Sequence, residues 1–224
     1  MILSMRSPTG AAAVGALLLC VATGCFKLSR NAPPVQHYAL STPGSPASST
    51  SGVTIGLRRL ELASYLDVPE VVVRVGSNRL LPSEFHRWGG SLSEAINRAM
   101  AAQLVAVRPI RAVDVAPFAP RTQHDVVVQL RVLRFEGEMN EGAPGGVAHV
   151  QVTWDIIRPL TGAILVRGST DQRDATWRAG DYAELVRGLD AGLAQVARDI
   201  GGCLSRFTND STPPASCGGG VAGR

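Results

Sequence analysis

The stretch AHVQVTWDI, residues 148–156, alternates without a break: Ala148, Val150, Val152, Trp154 and Ile156 against His149, Gln151, Thr153 and Asp155. Successive side chains of a strand point to opposite faces, so a period of two predicts a strand with one buried and one wetter face. The pattern continues on both sides. Val126, Val128, Leu130 and Val132 come before it, and Ile164 and Val166 follow a turn at Arg158–Gly162. Together they predict a three-stranded meander, with the Gly/Pro-rich run Met139–Gly146 (MNEGAPGG) as a long hairpin tip.

Further upstream, Val53, Ile55 and Leu57 alternate, and Leu60 and Leu62 continue out of phase, which reads as a strand with a bulge. Glu70–Val75 and Arg79–Pro82 flank Gly76-Ser77-Asn78 as a hairpin. Between these elements, Ala63–Pro69 (ASYLDVP) is expected to be a loop that exposes Tyr65 and Leu66.

Two helices are predicted. Ser91 and Glu94 make a capping box for a helix to Val105, with Leu92, Ala95, Ile96, Ala99 and Met100 on one face, Trp88 stapling its start and Pro109 marking the stop. Asp181 and Glu184 open a second, to Phe207, whose apolar stripe runs from Tyr182 and Leu185 through Leu193 to Ile200. Strands, helix, strands, helix imply an α+β fold: a two-layer sandwich of a mostly antiparallel sheet with both amphipathic helices packed on one face.

The N-terminus has another character. Arg6 precedes the apolar run Ala11–Val21, then come Ala22, Thr23, Gly24 and Cys25. A run of this length is too short for a spanning helix, which needs about 20 apolar residues, and fits a secretory leader. A cysteine directly after small residues makes residues 1–24 a lipoprotein signal peptide and Cys25 the lipidated residue; plain cleavage after Gly24 is the competing reading. Phe26, in place of aspartate, favours the outer membrane. Residues 25–52 are expected to be a tether, with Ser41–Gly52 flexible and residues 37–40 as an edge strand. The folded domain is expected over 53–207 and a disordered tail over 208–224. Cys203 and Cys217 are either a disulfide closing a short loop or a buried thiol and a free one; their spacing leaves both open.

Composition narrows the function. The formal net charge of +4 falls to +3 once Arg6 leaves with the leader, and aromatics are 5%, too little charge and too few stacking platforms for nucleic acid. His37, His86, His124 and His149 are scattered, with no metal-ligand spacing. There is no G-x-S-x-G elbow, P-loop or dinucleotide fingerprint. His124-Asp125 reads as the polar start of a strand, and Asp171 and Asp174 as flanking a loop. The chain is expected to be neither an enzyme nor a cofactor carrier.

Tyr65-Leu66-Asp67, Pro69, Val72-Val73-Arg74, Asn78-Arg79-Leu80 and Trp88, with Tyr38-Ala39-Leu40 before them and Arg134-Phe135-Glu136 after, resemble in order and spacing the ABC-transport auxiliary lipoproteins of the PqiC/YmbA type. The resemblance covers Tyr38 to Phe207. It implies a non-catalytic subunit of an MCE-type intermembrane lipid transport system, anchored at the outer membrane and facing the periplasm. Such a subunit docks the periplasm-spanning MCE-domain protein, and the resemblance also implies a homo-oligomeric ring. Tyr65, Leu66 and Pro69, in an apolar loop ahead of a strand, are the expected partner contacts, with Arg74 and Trp88 beside them. Tyr65 and Leu66 would equally serve by folding back over the sheet edge. Two other readings are a stand-alone lipid carrier, which needs a cavity beside small helix residues such as Ala95, Ala99 and Gly192, and a hydrolase with a non-standard site.

Overall fold

The computed structural model of the protein describes residues 33–42, 51–209 and 216–218. The leader, Cys25 and most of the Ser/Pro linker lie outside the described residues. Val35 opens the compact unit that carries all the elements. In chain order these are β1 (Gln36–Tyr38), β2 (Val53–Leu57), β3 (Glu61–Leu62), a 3₁₀ turn (Ser64–Leu66), β4 (Glu70–Val75), β5 (Arg79–Trp88), α1 (Leu92–Val105), β6 (Ile110–Val115), β7 (Val126–Met139), β8 (Gly145–Ile157), β9 (Ile164–Arg178), α2 (Tyr182–Asn209) and β10 (Cys217–Gly218).

The strands form one sheet with β7 at its centre. On one side β7 pairs with β8. On the other it takes three partners in succession: β2 at Val126–Val128, β3 at Arg131–Val132 and β4 at Gly137–Met139. The hairpin and meander ladders β4–β5, β7–β8 and β8–β9 are antiparallel, but β2, β3 and β4 run parallel to β7. The sheet is therefore mixed, with its long ladders antiparallel, as expected of the α+β class, and its short ones parallel. Alternation along a strand sets its faces; it carries no record of which distant strand pairs with it. β6 was missed altogether. It sits just after Pro109, and its burial is partial, so its alternation is weak.

Both helices lie in one layer. The stripe Leu185, Leu189, Leu193, Val196 and Ile200 of α2 is buried, and α2 packs on β8 and β9 while α1 packs on α2 and β6. Close approach needs glycine. A Cβ added at Gly188 would lie 2.7 Å from the Ala148 Cβ, and one at Gly192 would run into Val150. The small helix residues thus bring helix and sheet together rather than leaving a chamber between them. The expected caps are present: Ser91 Oγ accepts from the Glu94 amide, and Asp181 Oδ1 accepts from the Glu184 amide at 2.9 Å.

Both ends of the domain are tied down. The Tyr38 hydroxyl lies 2.9 Å from His86 Nδ1, and the His86 ring stacks on Tyr182 at 3.9 Å. Ser41, expected to begin a free linker, donates from its amide and hydroxyl to Asp190 on α2, at 3.1 and 2.7 Å. At the other end, Cys203 and Cys217 are joined in a disulfide. Cys217–Gly218 pairs parallel with Gly168–Ser169, so this part of the expected disordered tail is a strand. Neither the backbone partner nor the bridge is visible in a Gly/Pro/Ser composition.

Candidate functional site

The motif residues converge on β7. Alternation along β7 shifts phase at a bulge between Val132 and Arg134, which turns Phe135 into the core and Glu136 to the opposite face. Trp88, from the end of β5, packs on Phe135 with ring centroids 5.8 Å apart and is 4% exposed. Leu66 is 1% exposed, held in by the 3₁₀ turn. Both were expected to touch a partner. Both are core instead, because a side chain with no accessible surface has none left to bury against another protein. Pro69 is exposed.

Tyr65 and Arg74 meet over Glu136. The Arg74 Nε donates to Glu136 Oε1 at 2.6 Å, and Arg134 lies 3.3 Å from the same oxygen. Glu136 is completely buried under these groups. The Arg74 guanidinium sits 5.5 Å above the Tyr65 ring, and the Tyr65 hydroxyl donates to the Leu133 carbonyl at 3.0 Å. Burial, and then the adjoining Glu136 carboxylate, push the Tyr65 phenol up to about 12, so it stays a protonated donor. Three scattered motif fragments are thus one folding device: a buried ion pair that clamps the Tyr65 turn onto the bulge. Leu133, the residue at the bulge, is left 41% exposed beside it. The phase break between Val132 and Phe135 was a legible signal for that bulge.

The same sheet face carries two more rows of charge. Glu61, Arg131, Asp155 and Arg167 alternate in sign across β3, β7, β8 and β9, with successive contacts of 3.0, 2.9 and 3.6 Å. Further along, His149 is fully buried, with Nδ1 2.9 Å from Glu138 Oε2 and Nε2 2.9 Å from Asp171 Oδ1. Arg173 lies 3.3 Å from that Asp171 oxygen. Burial, and then Arg173, lower the His149 pKa, so the ring is neutral at pH 7. Asp171 lies within β9 rather than flanking a loop as expected, because β9 runs on to Arg178. Nothing in local sequence marks the grouping of Glu138, His149 and Asp171; strand register alone makes it.

The two carboxylates lie at opposite nitrogens of the His149 ring, so they do not converge on one point; among the described residues no group of three or more His, Cys, Asp or Glu is placed to hold a metal ion. His124 is paired with Asp114 at 2.9 Å, and Asp125 is held by Thr54. These hydrogen bonds keep the Asp125 carboxyl below its usual range. No helix among the described residues is long and apolar enough to cross a membrane.

No curated protein matches the chain. Among solved structures, protein XCC0632 of family DUF330 from Xanthomonas campestris is similar in fold, with a TM-score of 0.59 at 16% identity over 80% of this chain and 97% of that one. A second crystal structure, of an uncharacterised protein, gives a TM-score of 0.56 at 16% identity over 75% of this chain and 97% of its own. The family model for the ABC-type transport auxiliary lipoprotein component matches residues 38–201, from the β1 tyrosine through the first two thirds of α2. With a match over most of its length, the chain belongs to the ABC-type transport auxiliary lipoprotein component family.

Proposed function

We propose that the protein is the non-catalytic docking subunit of an MCE-type intermembrane lipid transport system, lipidated at Cys25, anchored in the outer membrane and facing the periplasm. The family match over residues 38–201 carries this reading. The sequence adds the small-residue approach to Cys25 and the Phe26 that follows it. The packing supports docking over lipid carriage, since Gly188 and Gly192 close the helix–sheet interface on which a carrier's chamber would depend. The partner is the MCE-domain protein of the same system, met by a ring of copies.

Of the expected contacts, Tyr65 and Pro69 remain on the surface, joined by Leu133. The test is a pull-down of the neighbouring MCE-domain protein by the full chain in detergent. Wild-type chain captures it; a Tyr65→Ala/Pro69→Ala variant captures several-fold less. Failure of the wild type to bind overturns the docking role. Cys25→Ser releases the protein into the soluble periplasmic fraction, and continued sedimentation with membranes would rule out the anchor.

A further inference from the structure

Among the described residues, one edge of the sheet is open at β6, which pairs only with β2. Ala116 donates its amide to the Leu57 carbonyl, and amide directions alternate along a strand. Ala112 and Asp114 therefore turn their backbone groups toward β2, with which they pair, while those of Arg111, Val113 and Val115 point away from the sheet. No backbone bond among the described residues meets them. At other edges β1 lies along β5 and β10 along part of β9. An open cleft lies at each end of β6. One, of about 600 Å³, is lined by Arg108, Pro109, Ile110 and Asp125. The other, of about 320 Å³, is lined by Arg59, Asn97, Arg98, Val115 and Pro117, with α1 as its wall.

The second cleft has unspent polar groups. Asn97 is 6% exposed, and its Oδ1 is buried with no hydrogen-bond partner among the described residues. A buried amide oxygen without a donor has lost its water without replacement, so the site is complete only when a donor arrives. Arg59 has no carboxylate partner among the described residues, and Arg98 reaches only Glu94, at 3.9 Å with both side chains largely exposed. Two cations therefore face a cleft that offers them one weakly held anion. Val115, 36% exposed, and Pro117 supply an apolar floor.

We propose that β6 is a β-addition site: an extended segment of the partner protein pairs with the outward backbone groups of Arg111, Val113 and Val115. A carboxylate of that segment, from a side chain or the chain terminus, pairs with Arg59 and Arg98, and a backbone amide satisfies Asn97. An added strand gains main-chain hydrogen bonds that cost little sequence specificity; the pair of guanidinium groups at one end sets register. This rests on the docking reading and names a second, independent contact for it.

The experiment measures binding of the neighbouring MCE-domain protein to the full chain in detergent. Arg59→Glu/Arg98→Glu, both on the surface, keeps the wild-type melting curve and weakens binding about tenfold or more. Val113→Pro removes an outward amide and weakens it similarly. Because that variant risks misfolding, a photo-crosslinking residue at Val115 in the otherwise wild-type chain provides a second readout. It crosslinks to an extended partner segment bearing Asp, Glu or the C-terminus. Binding by Arg59→Glu/Arg98→Glu within about twofold of wild type overturns the proposal and leaves the docking role standing. So does a crosslink to residues 43–50 of the same chain or to a second copy. No binding by the wild type overturns the docking reading and this proposal together.

Discussion

The two faces of the sheet are built from the same strands by alternate residues, and they solve different problems. On one face Ala148, Val150, Val152, Trp154 and Ile156 meet α2, and shape decides everything: glycine where the helix crosses, tryptophan over Gly168 where a Cβ would overlap the indole. On the other face no helix packs among the described residues, and Glu61, Arg131, Asp155, Arg167, Glu136, Arg74 and Arg134 cover it with paired charge. Signs alternate across strands in the row from Glu61 to Arg167, so its two arginines and two carboxylates balance. Burial is not the distinguishing feature, since Glu136 and His149 are as inaccessible as Trp154. What differs is the source of tolerance: an apolar face tolerates no change of volume, a charged face no loss of a partner.

That contrast is open to direct attack. Trp154→Ala empties the helix side, where the indole is fully buried, and is expected to cost about 4 kcal/mol in urea unfolding. Arg74→Met keeps the volume but leaves Glu136 buried with only Arg134 nearby; the expected loss is about 3 kcal/mol. Adding Glu136→Met to it restores much of that loss, because an apolar pair replaces a broken ionic one; a double variant as unstable as the single would mean that the two side chains act separately. Cys217→Ser opens the 14-residue separation closed by the disulfide and is expected to cost about 2 kcal/mol, with no change under reducing conditions.

His149 gives the charged face a pH dependence. Its folded pKa lies below the ordinary value of 6.5, so the unfolded chain takes up a proton first as pH falls. Stability is full above pH 6.5 and declines below it, until the folded form also protonates, with a slope of no more than about 1.4 kcal/mol per pH unit. His149→Gln flattens the curve between pH 7 and 5; an unchanged slope would place the titrating group elsewhere. Asp190 works in the opposite direction, since burial raises its carboxyl and its contribution is lost as pH rises above 3.8. The smallest effect belongs to the outer ends of the long charged row. Glu61→Gln and Arg167→Gln alter exposed groups, and urea titration should show no resolvable change.

Much of this was legible in the chain. The buried stripes of both helices, the strands of the meander, the hairpin after Pro69 and the caps at Ser91 and Asp181 follow from local periodicity. The motif residues Tyr65, Arg74 and Glu136 were visible one by one, but their meeting was not, because β4 and β7 are 62 residues apart at the Arg74–Glu136 contact. Partner contact was the wrong one of two readings at Leu66 and Trp88, since an apolar residue in a turn or before a cap reads the same whether it points in or out. β6 was missed because its burial is partial and its alternation weak, and the strand at Cys217 because two residues are too few to show a period.

By itself the sequence determined which residues of each element are apolar and in what period, and so the α+β class and the two unequal faces of the sheet, because hydrophobic periodicity is a local property. It also held the ordered fragments that mark the family. Only the tertiary structure decided which strands lie parallel beside β7, which carboxylate meets which arginine, and that the outer backbone groups of β6 meet no backbone partner among the described residues. Those are pairings between residues far apart in the chain, and their free energy depends on register and desolvation, which exist only once the sheet has formed.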